Sequence, residues 1–373
     1  MSDHPDKKTL KLGFGLMRLP KNADGSTDIP QVCEMADRFI AAGGTYFDTA
    51  YVYDGGRSEA AFKAAVADRY PREAYTLCTK LCAWQQCHDE ASARQQFYTS
   101  LERTGAGYFD YYLLHALQRN NYKKYDEYHI WDFAAEQKAK GMIRHYGFSF
   151  HADPELLEEL LCAHPEIDFV QLQINYADWE NPGVSSRRNW EICKAHGKPV
   201  VIMEPVKGGV LAEPIPAVKA VFDIAGNGLS YSSWAIRYAA SLDNVMMVLS
   251  GMSTLGQMED NLSYMKDFHP LNDAERAVIA EAQEALNMDK SIPCTACRYC
   301  VKGCPMNIPI PDIFTVYNRQ KGSAHFRIVR EYTNVTREKG RASDCIQCGQ
   351  CESACPQHLP VISLLEKCRE LES

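Results

Sequence analysis

Short apolar runs rich in β-branched and aromatic residues recur along residues 10–287, and longer stretches with apolar positions three and four apart separate them. The runs occupy 12–15, 46–48, 75–80, 111–115, 146–149, 169–174, 200–204 and 245–249. Compact apolar runs predict buried strands, and the helical period between them predicts helices, as at 31–42, 92–103 and 154–163. Eight such units predict an α/β fold, a (β/α)8 TIM barrel, in preference to an open doubly wound sheet. No predicted strand runs into the G-x-G-x-x-G turn of a Rossmann-type sheet. The seventh unit has the longest connection, 207–228, with Pro214, Pro216 and several glycines. It reads as an active-face loop, because barrels carry their chemistry on the loops after strand C-termini. A last helical pattern covers 272–286, with Asn272 or Asp273 as its N-cap. Composition then changes over 288–293, which places the barrel at 1–287 and a second domain at 288–373.

Cysteine changes the picture most. Nine of the fifteen cysteines lie at or beyond Cys294. The segment MSDHPDKKTL has no charged-then-apolar leader and no apolar run reaches about 18 residues, which predicts a cytoplasmic chain that does not span a membrane. Thiols stay reduced there, so a disulfide framework is not expected. A net charge of −8 with no basic stripe points away from a nucleic-acid partner.

The strings CTACRYCVKGCP (Cys294, Cys297, Cys300, Cys304) and CIQCGQCESACP (Cys345, Cys348, Cys351, Cys355) repeat one spacing, C-x2-C-x2-C-x3-C-P. Three thiolates two residues apart wrap one iron–sulfur cube, and the fourth, before proline, ligates the other cluster of a two-cluster ferredoxin. This reading pairs Cys294, Cys297, Cys300 and Cys355 around one [4Fe-4S] cluster, and Cys345, Cys348, Cys351 and Cys304 around a second. Zinc sites use paired C-x2-C units, which this pattern is not. The forty residues between Cys304 and Cys345, with a helical stretch at 311–322, resemble the α-helical kind of two-cluster ferredoxin. Cys33, Cys162, Cys193 and Cys368 fall in helical patterns and read as core thiols. Cys78, Cys82 and Cys87 cluster near one strand end and read as packing or loop positions.

In the first domain, three consecutive strands end in ionisable residues, Asp48, Lys80 and His115, and Tyr53 follows Asp48 by five. An adjacent ammonium favours a phenolate. Lys80, fixed by Asp48, therefore acidifies Tyr53, while His115 orients a carbonyl oxygen; the set is a general acid for carbonyl reduction.

Residues 10–287 resemble an aldo-keto reductase. The D-x4-Y of DTAYVYDGGRSE, with Lys80 and His115, matches that family's tetrad. KLGFGLMRLP, GFSF, LQINYAD, MEPVKGG and LSGMSTLGQMEDNL resemble its further segments. The resemblance implies that Ser149 and Gln173 hold a nicotinamide carboxamide, that Met203 stands where an aromatic often stacks, and that backbone around Val206, Gly208 and Gly209 and around Gly251 and Ser253 holds phosphates. Asn261 would contact adenine. Gly251 and Gln257 stand where many members grip the 2′-phosphate with Lys and Arg, and Phe150 replaces an asparagine. The expected function is an iron-sulfur oxidoreductase acting on a small-molecule carbonyl or alcohol, with NADP(H) or NAD(H) in the barrel. Its expected protein partner is an electron-transfer protein or flavoprotein. Hydride carries two electrons and each cluster takes one, so the alternative is a flavin-dependent enzyme holding FMN at the barrel mouth. A non-catalytic redox sensor is the other alternative.

Overall fold

The structure, a computed structural model, describes residues 10–226, 228–288, 291–319 and 325–372. Eight strands, β1 (Leu12–Gly15), β2 (Tyr46–Asp48), β3 (Thr76–Leu81), β4 (Phe109–Leu117), β5 (Ile143–Phe150), β6 (Phe169–Gln173), β7 (Val200–Met203) and β8 (Val245–Ser250), form a closed barrel in sequence order. Every pairing is parallel, and β8 closes on β1 through Leu12 opposite Val248. The strands match the expected runs within a residue or two, except that β4 and β5 extend further. Alternation along the strands sends Tyr46, Cys78, Leu113, Phe169, Val201, Met247 and Leu249 into one buried cluster. Their neighbours, such as Phe47, Leu77, Tyr112 and Val170, pack in a larger cluster with the surrounding helices. Gly147 lets β5 and β6 approach, since a Cβ there would sit 1.9 Å from the Phe169 carbonyl oxygen.

The helix Asp273–Asn287 starts at an Asn272 cap, with Glu275 completing a capping box. The segment 207–228 is not all loop, because it contains the helix Pro216–Ala225. Pro216 stands in the first turn, where a missing N–H removes nothing. Val218 and Phe222 are buried in one cluster with Ile279 and Ala282 of the helix Asp273–Asn287.

Beyond the barrel, helices Ile310–Arg319, His325–Thr336 and Val361–Cys368 enclose a separate apolar cluster that includes Ile313, Phe314, Tyr332 and Leu365. The expected helix 311–322 is thus seen over Ile310–Arg319, and its last residues lie outside the described ones. Residues 289–290 of the expected boundary also lie outside them. Among the described residues, no helix is long and apolar enough to cross a membrane.

Candidate functional site

Asp48, Lys80 and His115 lie at or near the C-terminal ends of β2, β3 and β4 and converge on one barrel face. Lys80 is fully buried; its ammonium donates to Asp48 Oδ1 at 2.5 Å and to the Thr49 carbonyl at 2.6 Å. Asp48 Oδ2 accepts from Gln171 of β6 at 3.2 Å. Tyr53 follows β2, with its ring centroid 4.8 Å from the Lys80 nitrogen and 5.5 Å from the His115 ring, edge to face. Trp84 Nε1 and the Tyr125 hydroxyl donate to the His115 carbonyl at 3.0 and 2.5 Å, fixing the backbone beneath the ring. His115 Nδ1 is buried without a partner. Burial first, then Lys80 and His151, holds the His115 pKa well below its ordinary value, so the ring is neutral.

Tyr53 departs from the expectation that Lys80 acidifies it. Burial first, then the charges of Asp48, Cys78 and Glu204, raise its pKa well above the ordinary phenol value. The reason is the burial of the phenol beside the Asp48 carboxylate, the same carboxylate that pairs with Lys80. Tyr53 is therefore a protonated group, able to give a proton only to a strong base such as an alkoxide.

Tyr53, His115, Ser149 and Gln173 line a chamber of about 690 Å³. The Ser149 hydroxyl accepts from the Ala116 amide at 2.7 Å. Gln173 donates to Asp178 at 3.2 Å, and its Oε1 is buried with no partner, an acceptor that fits a carboxamide. Val206, Gly208, Gly209, Gly251, Ser253, Gln257 and Asn261 line an adjoining groove of about 280 Å³. Chamber and groove meet at Met17, Tyr53, Met203 and Glu204. Two of the groove residues are less free than expected. Asn261 donates to Ser250 and accepts from Tyr264, both at 2.6 Å, which occupies its amide oxygen. A Cβ on Gly208 would sit 2.6 Å from the Thr295 carbonyl oxygen, so this glycine admits the second domain against the barrel.

The cysteines gather in crossed sets. Cys294, Cys297, Cys300 and Cys355 line one small cavity, and Cys304, Cys345, Cys348 and Cys351 line another. Among the described residues no three of these sulfurs lie within 4.8 Å of one another. Thiolates on one zinc ion would sit about 3.8 Å apart, given Zn–S bonds of about 2.3 Å. The backbone repeats as well: Ala296 and Gln347, Arg298 and Gly349, and Asn307 and His358 all have positive φ, between 49° and 78°. Such left-handed residues among right-handed ones turn successive N–H groups inward, a concavity for anions. Of the other cysteines, Cys78, Cys82, Cys87, Cys193 and Cys368 are buried and Cys33 is half-buried. Cys162, expected in the core, is exposed, because it falls on the outer face of the helix Pro154–Ala163, beside Glu158.

Several polar groups at the site were missed by the sequence reading. Glu204 directly follows β7, where the rule that picked out Asp48, Lys80 and His115 would have found it. Its side chain keeps 23% exposure, yet Oε2 is buried and unpartnered, and burial raises its pKa. Lys207 is buried; its ammonium donates to Asp178 and, at 3.2 Å, to Gln357, two residues past Cys355. Asp260 lines the groove and accepts from Ser230 and Ser232. Tyr299, from the second domain, lines the chamber. Burial first, then Tyr53 and Cys297, raises its pKa.

A family model described as the aldo/keto reductase family matches residues 11–284, and one described as a 4Fe-4S dicluster domain matches 293–359. The uncharacterized oxidoreductase YqkF of Bacillus subtilis (strain 168) is 25% identical over 287 residues, 68% of this chain and 86% of that protein. Among solved structures, the holo form of aldo-keto reductase AKR11C1 from Bacillus halodurans aligns with a TM-score of 0.61 and 25% identity, covering 74% of this chain and 92% of that one. An aldo-keto reductase from Klebsiella pneumoniae in complex with NADPH has a TM-score of 0.58 and 20% identity, over 73% of this chain and 90% of that one, a likeness of fold.

Proposed function

The chain belongs to the aldo/keto reductase family and is an oxidoreductase, and from that premise we propose that it interconverts a small carbonyl compound and its alcohol at the barrel mouth. The observation that carries this reading is the convergence of Asp48, Tyr53, Lys80 and His115, with the last three near one another and Tyr53 and His115 on the chamber wall. Tyr53 gives its proton to the alkoxide as that charge develops, and the ammonium of Lys80, held by Asp48, stabilises the phenolate left behind. A buried N–H without an acceptor is costly, so the unpartnered Nδ1 of His115 leaves the proton on Nε2, to donate to the substrate oxygen.

A bound nicotinamide dinucleotide, NADP(H) or NAD(H), supplies or accepts the hydride. Ser149 and Gln173 would hold its carboxamide, and the groove from Val206 to Asn261 its remaining length. Two [4Fe-4S] clusters, which carry single electrons, would be held by the two crossed cysteine sets. The domain after residue 287 thereby connects the barrel to an electron-transfer protein or flavoprotein.

Tyr53→Phe tests the assignment. Its kcat with an aldehyde substrate should fall about 10²–10⁴-fold, the usual share of general acid catalysis, with nicotinamide affinity nearly unchanged. Steady-state kinetics paired with cofactor titration measures both. Near-wild-type turnover would remove Tyr53 from the chemistry.

A further inference from the structure

The chamber wall has two origins, and the duplicated cysteine string explains one of them. In the first copy a single helical turn, Tyr299–Lys302, places Tyr299 and Lys302 three residues apart on one face, and both line the chamber. In the second copy the turn Gln350–Ser353 does the same with Gln350 and Ser353. The cysteine inside each turn, Cys300 or Cys351, is buried and lines a cysteine cavity instead. The iron–sulfur domain thus presents one helical face of each repeat to the barrel mouth.

Charged side chains are few in this composite chamber, which also includes Cys297 and Cys348 of the two cysteine sets. The chain carries −8, yet two lysines line the chamber, half-buried Lys124 after β4 and exposed Lys302 from the second domain. Neither side chain has a hydrogen bond or ion pair among the described residues. Glu204 is the one carboxylate among the described lining residues, and it stands where chamber and groove meet. Amides fill much of the remaining polar wall, including Gln85, Gln118, Asn120 and Gln350.

We propose that the chamber selects a carbonyl compound that carries a carboxylate, its carbonyl oxygen at Tyr53 and His115 and its carboxylate toward Lys124 and Lys302. The inference rests on the reading of Tyr53 and His115 as the carbonyl site and adds to it a substrate class. It makes the iron–sulfur domain a specificity element of the reductase site, because Lys302 belongs to that domain. A cation within reach of a carboxylate in a partly enclosed cavity attracts it more strongly than in bulk water, and salt weakens that attraction.

The test compares 4-carboxybenzaldehyde with benzaldehyde, which differ by the carboxylate. Full-length holoprotein should bind the first roughly tenfold tighter by calorimetry at low salt, a preference that shrinks as salt rises. The double variant Lys124→Met/Lys302→Met should bring the two affinities together while leaving benzaldehyde binding unchanged, and Lys124→Arg/Lys302→Arg should keep the preference. Equal binding by the wild type, or a preference that survives the double Met variant, would overturn the inference. Binding and turnover separate the two readings. A lysine-dependent binding preference without turnover of either aldehyde sinks the reductase reading and upholds anion selection. Turnover of both aldehydes with no binding preference does the reverse.

Discussion

At the scale of single side chains, desolvation holds both chamber histidines neutral. Burial first, then His358, pushes His151 down to about 4, and burial leads the causes that lower His115. An unfolded histidine titrates near ~6.5. Below that pH the unfolded chain takes up protons that these buried rings refuse, so stability falls as pH falls. For His151 the loss runs from about pH 6.5 down to about 4, with a limiting slope of about 1.4 kcal/mol per pH unit. His151→Gln should flatten the fall in unfolding free energy over that window, as measured by denaturant unfolding at a series of pH values. An unchanged slope would mean that His151 charges freely in the folded protein. Gln257 offers a second residue-scale test. It lines the groove near Asp260, and among the described lining residues of the groove Arg18 is the one cation. Gln257→Arg should lower KM for NADPH roughly tenfold more than for NADH, because a guanidinium pairs with the added phosphate; steady-state KM values for the two cofactors give the comparison.

At the scale of elements, the two cysteine strings are the same turn built twice, but each sends its fourth cysteine to the other's cavity. Holoprotein should carry about eight irons per chain, four in each of two cubes. Cys304→Ala should damage the cluster whose other ligands are Cys345, Cys348 and Cys351 and spare the one held by Cys294, Cys297, Cys300 and Cys355. Iron analysis with electron paramagnetic resonance of the reduced protein distinguishes the two, and loss confined to the Cys294 set would refute the crossing. The same scale explains the misread segment 207–228. Proline and glycine density signals irregular backbone, but the helix Pro216–Ala225 draws its stability from burying Val218 and Phe222 against a helix about 60 residues further on. Local composition does not report such a contact.

At the scale of the whole molecule, the buried Lys207 ammonium bridges Asp178 of the barrel and Gln357 beside the cysteine cavity. Breaking a buried pair from one side leaves an uncompensated charge, typically a loss of about 3–5 kcal/mol. Lys207→Met should destabilise the protein by that order in denaturant unfolding. Adding Asp178→Asn should recover part of the loss, because the stranded carboxylate is then gone. A single variant as stable as wild type would show that the bridge carries no net charge interaction.

The eight strands, the duplicated cysteine spacing and the Asp48, Tyr53, Lys80 and His115 set were legible in the sequence alone, because each is a local or evenly spaced pattern. Strand alternation and turn chemistry act over a few residues, and a tetrad at strand ends follows once a barrel is recognised. The tertiary structure alone decided what those groups experience. Tyr53 is held protonated because it is buried, next to the Asp48 carboxylate, and sequence spacing carries no information about dielectric. Tyr299, Lys302 and Gln357 reach the barrel from the second domain because two domains dock at Gly208 and Thr295, a contact 87 residues apart in the chain. Long-range packing of that kind depends on the summed shape of both surfaces, which no local pattern of residues encodes.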